Sequence, residues 1–511
     1  MAPPSSMTEL CQAARDLSAA PPEFWRTYYV HNTKTFNDVR SGTIGFFTSA
    51  LRDGSDPLSG ALRPDDHSLI YLHVLLARLI AVDGTATPVH QLAANGPRLI
   101  MYAMTFMNHF NPVHACLAPE AMEALGNHLL SVAARLGKAV LAVLPLKVGC
   151  ARWATAASAT TVTTTTPAMD ITYLTPLHAI LCKAALLANT PTAALPVLDR
   201  DVTEVDPEAF GITYQDHLLY CYYGGMIYTQ LKQHTRAMQF FELCVSAPGP
   251  HVSLIMIEAH RKLILASLLA TGALPTLPKY TSEAPVLRAA KMYSNAYVDF
   301  AQAYASGSAA RIDASYRAHE QEFRQHGNRG LARQCVEAVT RRAVQRLTDT
   351  YLTLSLQDIA KSVGLATDAT PSTANTTGSN GGGANANAGG GATSGADQTE
   401  RLVLRMIQDG QVFAKISSRD GGMVSFRDAP QRYTDAATTR RLDREIAQAM
   451  MLANRVLKMD RSIAVNKDFA SKIASAESRG GSGGHGAGPG GIGIMVPMQM
   501  PGDYLMDADA F

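Results

Sequence analysis

The sequence predicts a mostly α protein: a right-handed helical-repeat solenoid, then a winged-helix subdomain, then a C-terminal bundle helix. Three observations predict it. Apolar residues recur at three- and four-residue spacing from about 66 to 350, the rhythm of helices that each bury one face. Near 350 that rhythm gives way to a short β-prone run, a capped helix and a hairpin pattern. A last long stretch, from about 438, carries apolar residues at alternating four- and three-residue steps.

Length and composition frame this reading. The chain has 511 residues, too many for one compact core. With 47% apolar and 17% charged residues, a large folded body can form outside the low-complexity stretches. The boundaries read as an N-terminal segment over 1–65, a solenoid over 66–330 and a winged-helix part over 331–430 containing a disordered insert at 367–398. A C-terminal helix over 431–475 and a disordered tail over 476–511 follow.

The solenoid begins with helical stretches such as "HSLIYLHVLLARLIAVDG", "PRLIMYAMTFMNHF" and "LHAILCKAALLANT", joined by segments rich in Gly, Pro, Asn or Asp. The Thr-rich run at 157–170 reads as a loop or an insertion. One stretch, "CYYGGMIYTQLKQHTRAMQFFELCVSAP", carries a repeat signature: Gly225 and Tyr228, then Ala237 and Phe241, follow the tetratricopeptide spacing. In such a helix pair Gly225 and Ala237 permit close approach, while Tyr228 and Phe241 fill the seam. The unit before it keeps only the second half, Ala194 and Leu198, so the repeats are irregular. A stack of helix pairs of this kind offers its concave or edge surface to partners.

After the long helix "RQCVEAVTRRAVQRLTDTY", the run "YLTLSL" is strand-prone. Ser355 then caps a short helix, with Asp358 as its capping-box partner and Leu356, Ile359, Ala360 and Val363 as its apolar face. Beyond the Gly- and Asn-rich insert, Leu402, Val403, Met406 and Ile407 mark a third helix ending near Gly410. "VFAKIS" and "MVSFRD" flank a turn supplied by Gly421 and Gly422, a hairpin. Helix, strand, helix, helix, hairpin is the winged-helix order. In the trailing helix Leu442, Ile446, Ala449, Ala453 and Val456 form one apolar seam that seeks a neighbour.

Several function classes are excluded on these grounds. Net charge is +2, from 45 basic and 43 acidic residues, giving no general attraction to nucleic acid or an anionic membrane. The most apolar stretch, 129–146, is interrupted by Arg135, Lys138 and Pro145, and no charged n-region precedes an apolar run at the N-terminus. The seven cysteines are scattered, odd in number and never in CxxC spacing, which fits reduced thiols in cytoplasm or nucleus. The GxxxxGK(S/T) loop, HExxH and the closely spaced HxH of metal-dependent isopeptidases are all missing. His178 and Cys182, at i,i+4, read as core residues because no further ligand pair accompanies them. His109 and His114 read as polar residues at a helix end, and Tyr220, Tyr222 and Tyr223 as repeat core. No catalytic residue, cofactor or metal is therefore expected.

A winged helix raises the question of DNA. Its third helix offers Arg401, Arg405 and Gln408, diluted by Glu400 and Asp409; the wing sets Lys415, Arg419 and Arg427 against Asp420 and Asp428. Over 331–366 and 400–430 ten basic side chains face seven acidic ones, too sparse to neutralise several phosphates. A winged-helix DNA-binding regulator is thus the alternative from a different class; protein contact is the favoured use.

Solenoid, winged helix and trailing helix in this order resemble the PCI-domain family, shared by the proteasome lid, the COP-nine signalosome and a translation initiation factor. The stretches "YCYYGGMIYTQLKQ", "LATGALPTLPKYTS", "LTLSLQDIAKSVGL" and "RMIQDGQVFAKISSRDGGMVSF" are most similar to the signalosome branch, over about 175–430, with the trailing helix to about 473 also fitting. The region before about 170 carries little of the resemblance. A subunit of the proteasome lid is the sibling alternative.

The resemblance implies a non-catalytic scaffold in a complex that deneddylates cullin-RING ubiquitin ligases, the catalytic zinc belonging to another subunit. Partners would be other signalosome subunits, of PCI and metalloprotease type, and indirectly cullin-RING ligases, with no nucleic acid and no membrane. Family members join winged-helix sheets edge to edge and bundle their C-terminal helices. On this chain those interfaces would be Leu354, Val424 and Phe426 in the sheet, and the seam from Leu442 to Val456. The insert between the second and third helices departs from the family, but lengthening a solvent-facing loop costs only a few RT.

Overall fold

The computed structural model describes residues 6–18, 22–32, 36, 45–49, 51, 54–84, 89–154, 172–249, 252–278, 281, 292–364, 395–417, 422–428, 436–467, 469 and 471. The Thr-rich run at 157–170, nearly all of the expected insert and the tail over 476–511 lie outside the described residues. The chain divides into two compact units, Met1–Arg427 and Asp428–Phe511.

Helices begin within the expected N-terminal segment. In α1 (Met7–Ser18) Leu10, Ala14 and Leu17 are buried at helical spacing, and in α2 (Pro22–His31) Trp25 and Tyr28 are. These side chains join the main core. Asp56 strengthens the connection: its carboxylate accepts hydrogen bonds from Arg78 at 2.5 Å, from Tyr102 at 3.1 Å and from the Leu58 N–H at 3.1 Å. Burial alone would raise its pKa, but these donors hold it below the usual carboxylate range.

The helical stack follows as α3 (Ser68–Asp83), α4 (Val89–His109), α5 (Pro119–Arg135), α6 (Val140–Ala154) and α7 (Pro176–Leu187). Next come α8 (Tyr214–Gln230), α9 (His234–Ser246) and α10 (Leu254–Ala270), then α11 (Asn295–Ala305), α12 (Ala309–Gln325) and α13 (Arg329–Thr350). From α6 onward neighbours in sequence are mostly neighbours in space: α7 against α8, α8 against α9, α9 against α10, α11 against α12 and α12 against α13. Apolar residues cover α3 nearly all round, and Leu69 to Leu76 are buried without a polar stripe. That helix is enclosed by α4, α5 and the preceding short turns. Two cores meet across α10, where Leu263 and Ala266 belong to one and Ile264, Leu265 and Leu268 to the next.

The α8–α9 pair shows why its glycines are needed. A Cβ on Gly225 would stand 2.5 Å from the Phe241 ring, and one on Gly224 2.6 Å from Phe240. Tyr228, Ala237 and Phe241 are fully buried, and the Tyr228 hydroxyl donates to Asp199 at 2.8 Å. Before this pair the chain departs from a full repeat. Ala194 and Leu198 are buried, yet Ala194 only joins a 3-10 turn (Pro191–Ala193) to the four-residue helix (Leu195–Leu198) that holds Leu198. Pro191 and Pro196 keep that segment from extending into a longer helix.

The winged helix is built on α13, β1 (Thr353–Ser355), α14 (Leu356–Val363), α15 (Gly395–Gln408), β2 (Ala414–Ser417) and β3 (Met423–Phe426). Because α15 starts at Gly395, the last four residues read as insert form its first turn. Ser355 caps α14, its Oγ accepting the Asp358 N–H at 3.1 Å and donating to the Asp358 carboxylate at 2.6 Å. Gly364 and Gly410 end α14 and α15 with φ of 77° and 68°, and Gly422, at φ 80°, closes the hairpin. In the second unit α16 (Ala436–Val465) is one continuous helix. No helix among the described residues is long and apolar enough to cross a membrane.

Candidate subunit interaction surfaces

The three strands form an antiparallel sheet in the order β1-β3-β2. Thr353 pairs with Ser425, Leu354 with Val424 and Ser355 with Met423, while Ala414 pairs with Phe426 and Ile416 with Val424. The hairpin strand β3 is therefore central, and β1 and β2 are the edges. Val424 is fully buried and Phe426 nearly so, packed with Val344, Leu356, Ile359, Val403 and Met406. Leu356, Ile359 and Ala360 are buried on the inner face of α14.

This geometry places the residues of the expected sheet interface. The Val424 and Phe426 side chains pack into the winged-helix core, and β1 and β2 flank the backbone of their strand on its two sides. Leu354, half-buried on β1, remains at an edge. The exposed apolar groups beside that edge are Tyr351, 48% exposed, and Leu352, 83% exposed. Sequence reasoning missed both. The run read as strand-prone includes both, but β1 begins only at Thr353.

On α15, Val403 and Met406 turn inward, leaving Arg401, Leu404, Arg405 and Gln408 on the exposed face at i, i+3, i+4 and i+7. Leu404, 45% exposed, occupies the middle of what a DNA reader would fill with polar groups. Lys415, Arg427 and Asp428 are exposed, and Arg419 and Asp420 lie outside the described residues.

The seam on α16 is open. Leu442, Ile446, Ala449, Ala453 and Val456 are all exposed, Ile446 by 56% and Val456 by 63%. The structure widens the stripe to Met450, Leu457 and Ile463. Polar pairs such as Arg441 with Glu445, 3.2 Å apart, also line this helix. Exposed apolar groups repeated along a helix of 30 residues form a surface that water disfavours and a second helix can cover.

The residues weighed for chemistry sit in the solenoid. His178 is fully buried at the start of α7, where its Nδ1 accepts the Thr175 N–H at 3.0 Å, and burial pushes its pKa down to about 4. Cys182 is buried one turn on, its thiol pushed up by the same burial. Among the described residues no group of three or more His, Cys, Asp or Glu could hold a metal. All seven cysteines are unpaired. Tyr220 is buried edge-on to His178 and Phe240, while Tyr222 and Tyr223 are half-buried. His109 ends α4, 3.6 Å from Asp65. His114 differs from the expected polar turn residue: it is buried, its ring 5.1 Å from that of Trp25. The α2 helix that covers it was not read from the sequence.

Comparison with known proteins extends these observations. Residues 50–285 match the family of COP9 signalosome complex subunit 3, N-terminal helical repeats, and residues 316–428 match the PCI domain. The first match starts well before residue 170, so the family likeness reaches further toward the N-terminus than the quoted stretches indicated. COP9 signalosome complex subunit 3 of Drosophila melanogaster is 32% identical over 321 residues, 60% of this chain and 65% of that protein. Its namesake in Dictyostelium discoideum is 28% identical over 309 residues, 60% of this chain and 66% of that protein. The matched part thus spans just under two thirds of either relative's length. With the helical-repeat match and the PCI match following one another along the chain, it resembles COP9 signalosome complex subunit 3 over its repeats and carries a PCI domain after them.

Proposed function

We propose that this chain is a non-catalytic scaffold subunit of a signalosome that deneddylates cullin-RING ubiquitin ligases in cytoplasm and nucleus. Its work is to hold neighbouring subunits, of PCI and metalloprotease type, and not to bind membrane or nucleic acid. The observation that carries this reading is the open apolar seam of α16, exposed from Leu442 to Ile463 along one helix. Burying each large side chain of such a seam against a neighbour is worth about 1.5–3 kcal/mol. The open edge of β1 beside Tyr351 and Leu352 supplies a second contact, by strand pairing.

Affinity purification of the tagged full chain from its own cells, with quantitative mass spectrometry, tests the proposal. Stoichiometric recovery of several PCI proteins and one metalloprotease-type subunit is expected, with cullins in smaller amount. A lone monomer, or recovery of proteasome-lid subunits instead, contradicts it.

A further inference from the structure

A crease of about 480 Å³ lies in the first unit where the helical repeats meet the winged helix. Its walls come from the α8–α9 turn, the end of α10, one face of α13 and the loop after α15. Three cations line it, but they are not equivalent. Arg342 is committed to the fold: its Nη2 donates to the Leu269 carbonyl at 2.9 Å and the Ala270 carbonyl at 2.8 Å, capping α10. Lys232 and Arg341 have no carboxylate partner among the described residues. The one carboxylate in the lining, Glu337, is paired with Arg333 on its own helix at 3.1 Å. The crease therefore holds uncompensated positive charge.

Two further features accompany the charge. Lys232 has φ of 59°, a left-handed conformation that glycine or asparagine adopts with less strain, yet the position carries an ammonium. Gln345 and Gln411 also face the crease, and neither side-chain amide has a hydrogen-bond partner among the described residues. An amide both donates and accepts, which suits a peptide backbone. A phosphate dianion only accepts, so it would leave the carbonyl ends of these glutamines without a donor.

We propose that this crease docks an acidic peptide segment of a partner protein, its carboxylates meeting Lys232 and Arg341 and its backbone meeting Gln345 and Gln411. The full-length chain should bind a fluorescein-labelled (Glu-Gly)n peptide of about ten residues, read by fluorescence anisotropy, and bind it more weakly as salt rises. Arg341→Gln and Lys232→Gln should each weaken it roughly tenfold, the effect of losing one charge-assisted contact. Lys232→Gly should weaken binding as much while the melting temperature holds or rises, because glycine relieves the left-handed backbone. That variant separates loss of binding from loss of fold. Unchanged affinity in the Arg341 and Lys232 variants would overturn the proposal. So would displacement of the peptide by inorganic phosphate at concentrations similar to the peptide's own Kd.

Discussion

Gly225 sets a limit on the α8–α9 seam, because a methyl group there would stand 2.5 Å from the Phe241 ring. Gly225→Ala should lower stability by about 1–3 kcal/mol, measured by urea unfolding, because a buried ring in a packed seam has little room to shift. His178 makes a prediction in pH. Its folded pKa, about 4, lies below the ordinary 6.5, so the unfolded chain takes up a proton first as pH falls. Stability should therefore be undiminished above 6.5, decline between 6.5 and 4 by roughly 3 kcal/mol, and level off below. In His178→Gln that part of the pH dependence should vanish from thermal unfolding curves. The tetratricopeptide residues were legible because close approach demands small residues at fixed spacing. His114 was not, since the residues that bury it lie some ninety positions upstream in α2.

Among the elements, α14 depends on its cap. Ser355 satisfies the Asp358 N–H, and Ser355→Ala should cost about 1 kcal/mol, visible as a lower melting temperature of the whole first unit. The winged-helix order could be read from the sequence because cap, helix period and hairpin glycines are local signals. Which strand is central could not. Strand order depends on whether β1 pairs with β2 or β3, a choice made by the burial of Val424 and Phe426 against α14 and α15. For the same reason the burial of Val424 and Phe426, and the exposed pair Tyr351 and Leu352, emerged only from the structure. Leu442, Ile446, Ala449, Ala453 and Val456 could be set on one stripe of α16 because heptad-like spacing does so wherever a helix lies, while Met450, Leu457 and Ile463 were added by the structure.

At the scale of the whole molecule, the sequence revealed the order solenoid, winged helix and trailing helix, but not that α1 and α2 join the main core. Those helices are short, 12 and 10 residues, and which distant core their apolar faces join is a tertiary choice that no local spacing carries. The central claim is that the chain works by assembly and that the α16 seam is its handle. Ile446 and Ala453 are exposed in this chain, so Ile446→Asp with Ala453→Asp should leave its own melting temperature unchanged. Buried in a bundle of helices, the same two charges would cost several kcal/mol. The most direct measurement is the fraction of this doubly substituted chain that elutes with the large complex in size-exclusion chromatography of cell extract. Our account predicts a fall of tenfold or more, with the chain running as a folded free subunit; incorporation at the normal level would contradict it.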